Sequence, residues 1–327
     1  MLTSDASEAT VKGSVPADRA PRKKDEKLWF NDGTLIIVAQ DTEFRVYKGQ
    51  LERRSEVFKD MSSFPQPTAD CADSPCPVVH VTDFAREWRH VLGLIFDPDD
   101  EQSPFPTARR PHPSFELISA CVRLGHKYAM TSTYQAAMAY LKDHFTTSFS
   151  VFQKHGSWVP EGDDFGLVHT IGVVNLARLT GERTLLPMAL LECCRKGADI
   201  VLGFTYSDGE RETLVAEDVG LCFAAKDKLI AATILAYVNV FGPLPAGDCK
   251  LEDCRRALGL LSQSTSRKAL SCPSPNPIIS FNYTLPGATT PQLCEDCRTT
   301  IKERERRRQL ANWKALPSML GIDVPAW

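Results

Sequence analysis

The sequence lacks the short motifs that mark the most familiar catalytic and nucleotide-binding sites. It contains no Gly-x-Ser-x-Gly turn, no Gly-x-Gly-x-x-Gly loop after a strand, no Walker loop and no His-Glu-x-x-His helix. The cysteines and histidines that remain are scattered, as in any chain of 327 residues. We therefore predict that the protein is not an enzyme.

Long apolar runs and a strong charge of either sign are also missing. No run approaches the roughly 20 apolar residues that a membrane helix needs, so we expect no membrane contact. Residues 1–27 hold no hydrophobic core of a signal peptide. The 38 Lys and Arg against 41 Asp and Glu leave a net charge of −3, which gives no reason to expect a nucleic acid as partner. We predict an intracellular protein of the cytoplasm, the nucleus or both.

The 11 cysteines do not form a disulfide framework, because their number is odd and no export signal precedes them. We read them as reduced thiols. One arrangement stands apart, since two cysteine pairs enclose a segment rich in Ser, Thr and Pro. Paired thiolates are the usual ligands of structural zinc. The four residues between the cysteines of the first pair and the long segment between the two pairs argue against a metal. Both interpretations stay open. The four cysteines are Cys249, Cys254, Cys294 and Cys297.

A strand, turn, strand and helix pattern occupies residues 30–61. The apolar run over residues 34–39 predicts a strand that is buried on both faces. Residues 41–42 predict a tight turn, and the alternation over residues 43–47 predicts a second strand. From Gly49 onward the apolar side chains fall at helical spacing. These helical positions are Leu51, Ser55, Phe58 and Met61.

The remaining pattern is mainly helical. Residues 78–81 predict a third strand, and a helix with one apolar face follows it. Two matching apolar stripes then predict a helical hairpin whose faces share one core. The stripes are Leu117, Cys121, Leu124 and Tyr128, then Tyr134, Met138, Leu141 and Phe145.

Composition divides the chain into four parts. Residues 1–27 are poor in aromatics and end in a charged run, so they are predicted to be disordered. Residues 28–150 hold the strands and the helical hairpin, and residues 160–242 form a helical region. Residues 243–327 are rich in Pro, Ser and Cys and end in a helix with an apolar docking side.

The pattern over residues 30–61 resembles the opening of a BTB/POZ domain, whose helix carries the same Leu, Ser, Phe and Met series. Tyr47-Lys48 departs from the His-Lys pair that this family usually has at the junction of strand and helix. Residues 115–145 resemble the closing helices of that domain. The phrase over residues 178–187, followed by Cys193-Cys194, resembles the region after the domain in a large fungal, basidiomycete-type group.

The resemblance implies an α+β fold, namely a short mixed sheet flanked by helices, followed by a helical C-terminal region. It also implies a protein-interaction module that forms a homodimer, or a heterodimer with another BTB protein. Recruitment of a cullin ubiquitin-ligase scaffold or a role in transcriptional regulation is implied in addition. The predicted interaction surface comprises Leu35, Ile37, Phe44, Arg53, Arg54, Glu56, Phe58 and Met61.

An alternative function stays open from the residues alone. The C-terminal cysteines and the basic tail would suit a zinc-stabilised or nucleic-acid-associated regulator. No repeat of 40–50 residues and no series of Cys-Cys-His-His motifs accompanies them, so neither a kelch propeller nor a zinc-finger array is predicted.

Overall fold

The computed structural model describes residues 22–63, 76–96, 113–155, 165–242, 252–281, 293–325 and 327. In these parts the chain is a mixed α+β protein with eleven α-helices. The six strands are β1 (Lys23–Trp29), β2 (Leu35–Ala39), β3 (Thr42–Val46), β4 (Val78–Val81), β5 (Phe204–Thr205) and β6 (Arg211–Glu212). The helices are α1 (Lys48–Arg54), α2 (Glu56–Ser63), α3 (Ala85–Phe96), α4 (Phe115–Lys127), α5 (Thr131–His144), α6 (Phe149–His155), α7 (Thr170–Thr180), α8 (Leu186–Arg195), α9 (Ala216–Phe241), α10 (Glu252–Ser271) and α11 (Glu295–Leu320).

The main sheet has four strands in the order β1-β3-β2-β4. Strand β2 runs antiparallel to β3 and parallel to β4, and all five of its residues are buried, as predicted. The turn lies one residue earlier than predicted, at Gln40 and Asp41, because Ala39 pairs with Thr42. Gln40 adopts a φ of 54°, the left-handed conformation that such tight turns require.

Strand β1 corrects the prediction that residues 1–27 are disordered. From Lys23 onward this charged run pairs parallel to β3. The buried carboxylate of Asp25 accepts hydrogen bonds from the backbone amides of Lys27 and Leu28, each at 3.1 Å, and from Arg89 Nε at 2.8 Å. A tertiary contact therefore orders a segment whose composition favours disorder. Residues 1–21 lie outside the described residues.

The helix predicted from Gly49 is two helices, because the backbone is extended at Ser55 between α1 and α2 (φ −135°, ψ 116°). The buried Ser55 Oγ donates to the carbonyl oxygen of Tyr128 at 2.5 Å and accepts from the Phe58 amide at 3.1 Å. A partner 73 residues away thus fixes the break. Helical spacing cannot reveal such a contact.

Helices α3, α4 and α5 confirm the predicted apolar faces. Trp88 of α3 is fully buried and contacts the rings of Phe58 and Tyr128 at centroid distances of 5.8 and 5.1 Å. The stripes of α4 and α5 are buried except for the half-buried Tyr134, and the two helices pack as a hairpin.

One hydrophobic core runs from β1 to the end of α11, across the boundary predicted between residues 150 and 160. Helix α7 packs on α4 where Gly172 meets Phe115, since a Cβ at Gly172 would lie 2.3 Å from the Phe115 ring. The sheet and the first helices therefore share their packing with α7 and α8. We call this cluster the large core.

The hairpin of β5 and β6, which the sequence pattern did not predict, docks on α3 and α4 through polar contacts. Glu116 accepts hydrogen bonds from the amide of Ser207 at 2.6 Å and from its hydroxyl at 2.7 Å. Arg86 forms an ion pair with Asp208 at 3.0 Å and stacks on the ring of Tyr206. These contacts link the two halves of the chain.

Helices α10 and α11 both pack against α9. Helix α10 was not predicted, because its segment was read as part of a region rich in Pro, Ser and Cys. The docking side of the last helix is confirmed, since Trp313, Leu316 and Leu320 are buried and Trp327 stacks on Trp313 at 4.8 Å. A second cluster, which we call the small core, fills the space between α9, α10 and α11.

Candidate functional site

The predicted interaction surface divides into buried and exposed residues. Four of the five apolar residues are buried in the large core: Leu35, Ile37, Phe44 and Phe58. They cannot face a partner while the chain is folded, so this part of the predicted surface is corrected. Arg53, Arg54 and Glu56 are exposed and Met61 is half-buried. The strands and helices here bury their apolar side chains in one core, and the accessible part of the predicted surface consists of the three charged residues and part of Met61.

Tyr47 lies at the junction between β3 and α1, where the sequence departs from the His-Lys pair that is usual in BTB/POZ domains. Its hydroxyl donates to Asp32 Oδ1 at 2.7 Å, and its ring contacts Phe30 at 5.1 Å and Phe96 at 6.2 Å. The hydrogen bond to Asp32 raises the pKa of the Tyr47 phenol, and burial adds to the shift. The tyrosine therefore anchors the junction by its ring and by one carboxylate.

The outward face of α9 is an apolar surface that the sequence pattern does not predict. This helix of 26 residues is buried on one side by the large and small cores. On its solvent side, Phe223, Leu235 and Val238 are 57%, 51% and 55% exposed. Among the exposed residues of α9 only Glu217, Asp227 and Lys228 are charged. Large apolar side chains grouped on the solvent side of a helix are typical of a contact with other protein.

The solvent side of α9 has the spacing of a helix-packing seam. Gly220, Ala224, Ala231 and Val238 recur at intervals of four and seven residues and are all exposed. At about 100° per residue, these positions lie along one stripe of the helix. Halfway along the stripe lies Asp227, and the next residue, Lys228, lies beside the stripe. We call this stripe, together with Phe223 and Leu235, the α9 face.

Three of the four predicted zinc-ligand cysteines converge. The sulfur atoms of Cys254, Cys294 and Cys297 all lie within 4.8 Å of one another. Cys254 lies in the first turn of α10, Cys294 is the residue before α11, and Cys297 lies in its first turn. The backbone amide of Cys294 also donates to the Cys254 sulfur at 3.2 Å. Cys249 lies outside the described residues.

Most of the other described cysteines are core residues. Cys193 and Cys194 are buried in α8, and Cys222 of α9 packs against them. Cys121 is buried in α4, where desolvation raises the pKa of its thiol to about 12. A thiol that resists ionisation is a poor nucleophile, which fits a packing role.

A polar groove of about 650 Å³ lies between α3, α4, α7 and the β5–β6 hairpin. Several of its polar side chains form hydrogen bonds or ion pairs. Arg123 contacts Glu212 at 2.8 Å, Asn175 donates to the same carboxylate at 2.7 Å, and Arg178 contacts Asp218 at 2.6 Å. Its lining, as far as the structure describes the chain, includes no Ser, Cys or His. The groove holds the hairpin in place rather than presenting an activated nucleophile.

Comparison with known proteins finds no counterpart for this chain. No model of a protein family matches it, and neither the curated proteins nor the solved structures yield a match.

The length and polarity of the helices bear on the prediction that the protein makes no contact with a membrane. Within the described ranges, none of the helices combines the length and the apolar character that crossing a membrane requires.

Proposed function

We propose that the protein is an interaction module of the BTB/POZ type that forms a homodimer, and that its contact surface is the α9 face. The observation that carries the proposal is the solvent side of α9, where large apolar side chains lie beside small ones. Exposed apolar surface of this kind marks a protein contact. The BTB assignment itself rests on the sequence resemblance.

A second copy of the chain is the partner that fits this face best. In a symmetric dimer the same patch faces itself around a two-fold axis. With the axis beside Asp227 and Lys228 in an antiparallel α9 pair, each acid faces the base of the other copy. The same symmetry sets Ala224 opposite Ala231 and Gly220 opposite Leu235. The small residues provide room for close approach, and the charges complement each other.

The edge of the sheet is a weaker candidate for the contact. Strand β1 lies at one edge and pairs with β3 of its own chain. Its exposed side chains include Lys23, Lys24, Glu26 and Lys27. Charged edge strands disfavour pairing with another chain. The dimer contact that the family forms through its first strand and helix is therefore replaced, in our proposal, by the α9 face.

Sedimentation equilibrium of the full chain tests the proposal. We expect the wild type to dimerise at micromolar concentrations and Leu235→Asp to be monomeric, because a buried unpaired carboxylate opposes association. Arg53→Glu changes the charge of the sequence-predicted surface and serves as the matched control, which should remain dimeric. Circular dichroism should show that both variants are folded, since both sites are exposed.

Three outcomes would overturn the proposal. The first is a wild type that stays monomeric. The second is a dimer that survives Leu235→Asp but is lost in Arg53→Glu. The third is a monomer whose α9 face is protected from hydroxyl-radical labelling, which would show that another segment of the same chain covers it.

A further inference from the structure

The geometry points to a metal site that is independent of the proposed dimer. We propose that Cys254, Cys294 and Cys297 bind a zinc ion that fastens the beginning of α10 to the beginning of α11. Each thiol releases its proton to solvent as its sulfur binds the ion.

The sulfur atoms are spaced as a tetrahedral thiolate site requires. Zinc–sulfur bonds of about 2.3 Å give a sulfur–sulfur edge of about 3.8 Å in a tetrahedron. In the structure all three sulfurs lie within 4.8 Å of one another, so small side-chain rotations would close the site. Among the described residues, this is the one group of three or more Cys, His, Asp or Glu side chains with such convergence.

The surroundings of Cys254 favour a thiolate. The amide of Cys294 donates a hydrogen bond to the Cys254 sulfur, and this bond joins the two segments that supply the ligands. Amide hydrogen bonds to the sulfurs are the usual outer support of thiolate metal sites. Cys294 and Cys297 also lie at the N-terminus of a helix of 26 residues, where the helix dipole favours negative charge.

The ligand type selects the metal. A set of three sulfurs is soft, so it disfavours calcium and magnesium, which prefer oxygen. Zinc accepts thiolates in tetrahedral geometry and needs no change of redox state. Cys254 and Cys297 are buried, as the ligands of a structural ion usually are.

The small core explains why a metal would matter at this place. It contains small side chains such as Ala257 and Ala269, and Cys254 and Cys297 are themselves among its members. A unit that buries little apolar surface commonly needs a metal or a disulfide to stay folded. Buried thiols that act only as small apolar side chains are the competing explanation.

Metal analysis of the full chain, purified without chelator from zinc-supplemented cells, tests the site. The wild type should carry about one equivalent of zinc, and Cys254→Ser and Cys297→Ser should each retain below about a tenth of an equivalent. Cys272→Ser removes an exposed thiol and Cys121→Ser a buried one outside the cluster, so both controls should keep the metal. Cobalt added to the metal-free protein should give thiolate-to-cobalt charge-transfer absorption.

Several results would contradict the site. One is a wild type with below about a tenth of an equivalent of zinc and no cobalt spectrum. Another is zinc retained in full by the Cys254→Ser, Cys297→Ser double variant. A disulfide between two of the three cysteines in the wild type as purified, before any metal is removed, would also overturn it; thiol titration and mass would show it. Each readout is independent of whether the protein dimerises.

Discussion

The rings of Trp88, Phe58 and Tyr128 contact one another in the large core, which draws on the main sheet and on most of the helices. The small core between α9, α10 and α11 has far fewer members, among them Cys254 and Cys297. Buried apolar area is therefore sufficient to hold the first region together. In the second region a covalent or metal link would have a larger effect, since little packing is present to replace it.

The largest expected effect comes from removing the centre of the large core. Trp88→Ala should lower the free energy of unfolding by about 3–5 kcal/mol, because it leaves a cavity between the rings of Phe58 and Tyr128. Urea denaturation followed by circular dichroism measures this loss. Trp88→Phe, which keeps most of the volume, should cost clearly less. A Trp88→Ala variant as stable as the wild type would show that the aromatic cluster does not organise this core.

Replacing one buried leucine in each core compares how the two cores contribute to stability. Leu92 lies in the large core and Leu261 in the small core, and both are buried. Leu92→Ala should lower the free energy of global unfolding by about 2–5 kcal/mol. Leu261→Ala should instead increase amide exchange mainly in α10 and the start of α11, because that unit can open locally. Equal effects on global unfolding would mean that both cores unfold as one.

The sequence predicted the elements whose signals are local. The apolar run of β2 and the stripes of α3, α4 and α5 depend on periodicity alone, and these were placed correctly. Strand β1 depends on the contact between Asp25 and Arg89, and the break at Ser55 depends on Tyr128. Such contacts between distant residues leave no periodic signal. The two-residue strands β5 and β6 are too short to produce one.

The candidate sites were predictable to different degrees. The two cysteine pairs predict Cys254, Cys294 and Cys297 among the candidate ligands, but only the fold shows that these three sulfurs converge. The sequence predicts only a helical region over residues 160–242, and the exposed position of Leu235 and Val238 on α9 follows from the fold. Half of the residues predicted for the interaction surface are core residues, because an apolar pattern does not distinguish a core from a contact surface.

Substitution of Ser55 tests whether its hydrogen bonds stabilise the break between α1 and α2. Ser55→Ala should cost about 1–3 kcal/mol, because the carbonyl of Tyr128 and the amide of Phe58 lose their buried hydrogen-bond partner. Ser63→Ala removes an exposed hydroxyl bond at the end of α2 and should change stability by less than about 0.5 kcal/mol. Thermal or urea unfolding of both variants decides the matter. Indistinguishable stabilities would contradict a structural role for the break.

A smaller effect, the dependence of stability on pH, is expected where the β5–β6 hairpin docks on α4. Burial alone would raise the pKa of Glu116, but hydrogen bonds from His90 and Ser207 outweigh it and lower the pKa from 4.5 to about 2. A lowered folded-state pKa gives stability that is present above about pH 4.5 and is lost as the pH falls toward about 2. The side chain is partly exposed, so solvent reduces the effect.

Amide exchange at Ser207 reports this docking, since its amide donates to Glu116. Protection in the wild type should fall as the pH is lowered through that window, after correction for intrinsic exchange. Glu116→Gln should remove this dependence, whereas Glu26→Gln, which changes an exposed carboxylate on β1, should preserve it. A Glu116→Gln variant with the wild-type profile would assign the pH dependence to other groups.

Photocrosslinking from α9 tests the central claim, the homodimer through the α9 face, most directly. Phe223 is replaced by the photoreactive analogue p-benzoylphenylalanine, and this protein is mixed with an unmodified copy labelled with heavy nitrogen. The account predicts a light-dependent dimer whose cross-linked peptide carries the heavy label and comes from α9. The same analogue at Arg53 should give no such dimer. Cross-links from position 223 that reach only light peptides of the same chain, or a heavy-labelled product from position 53 instead, would contradict it.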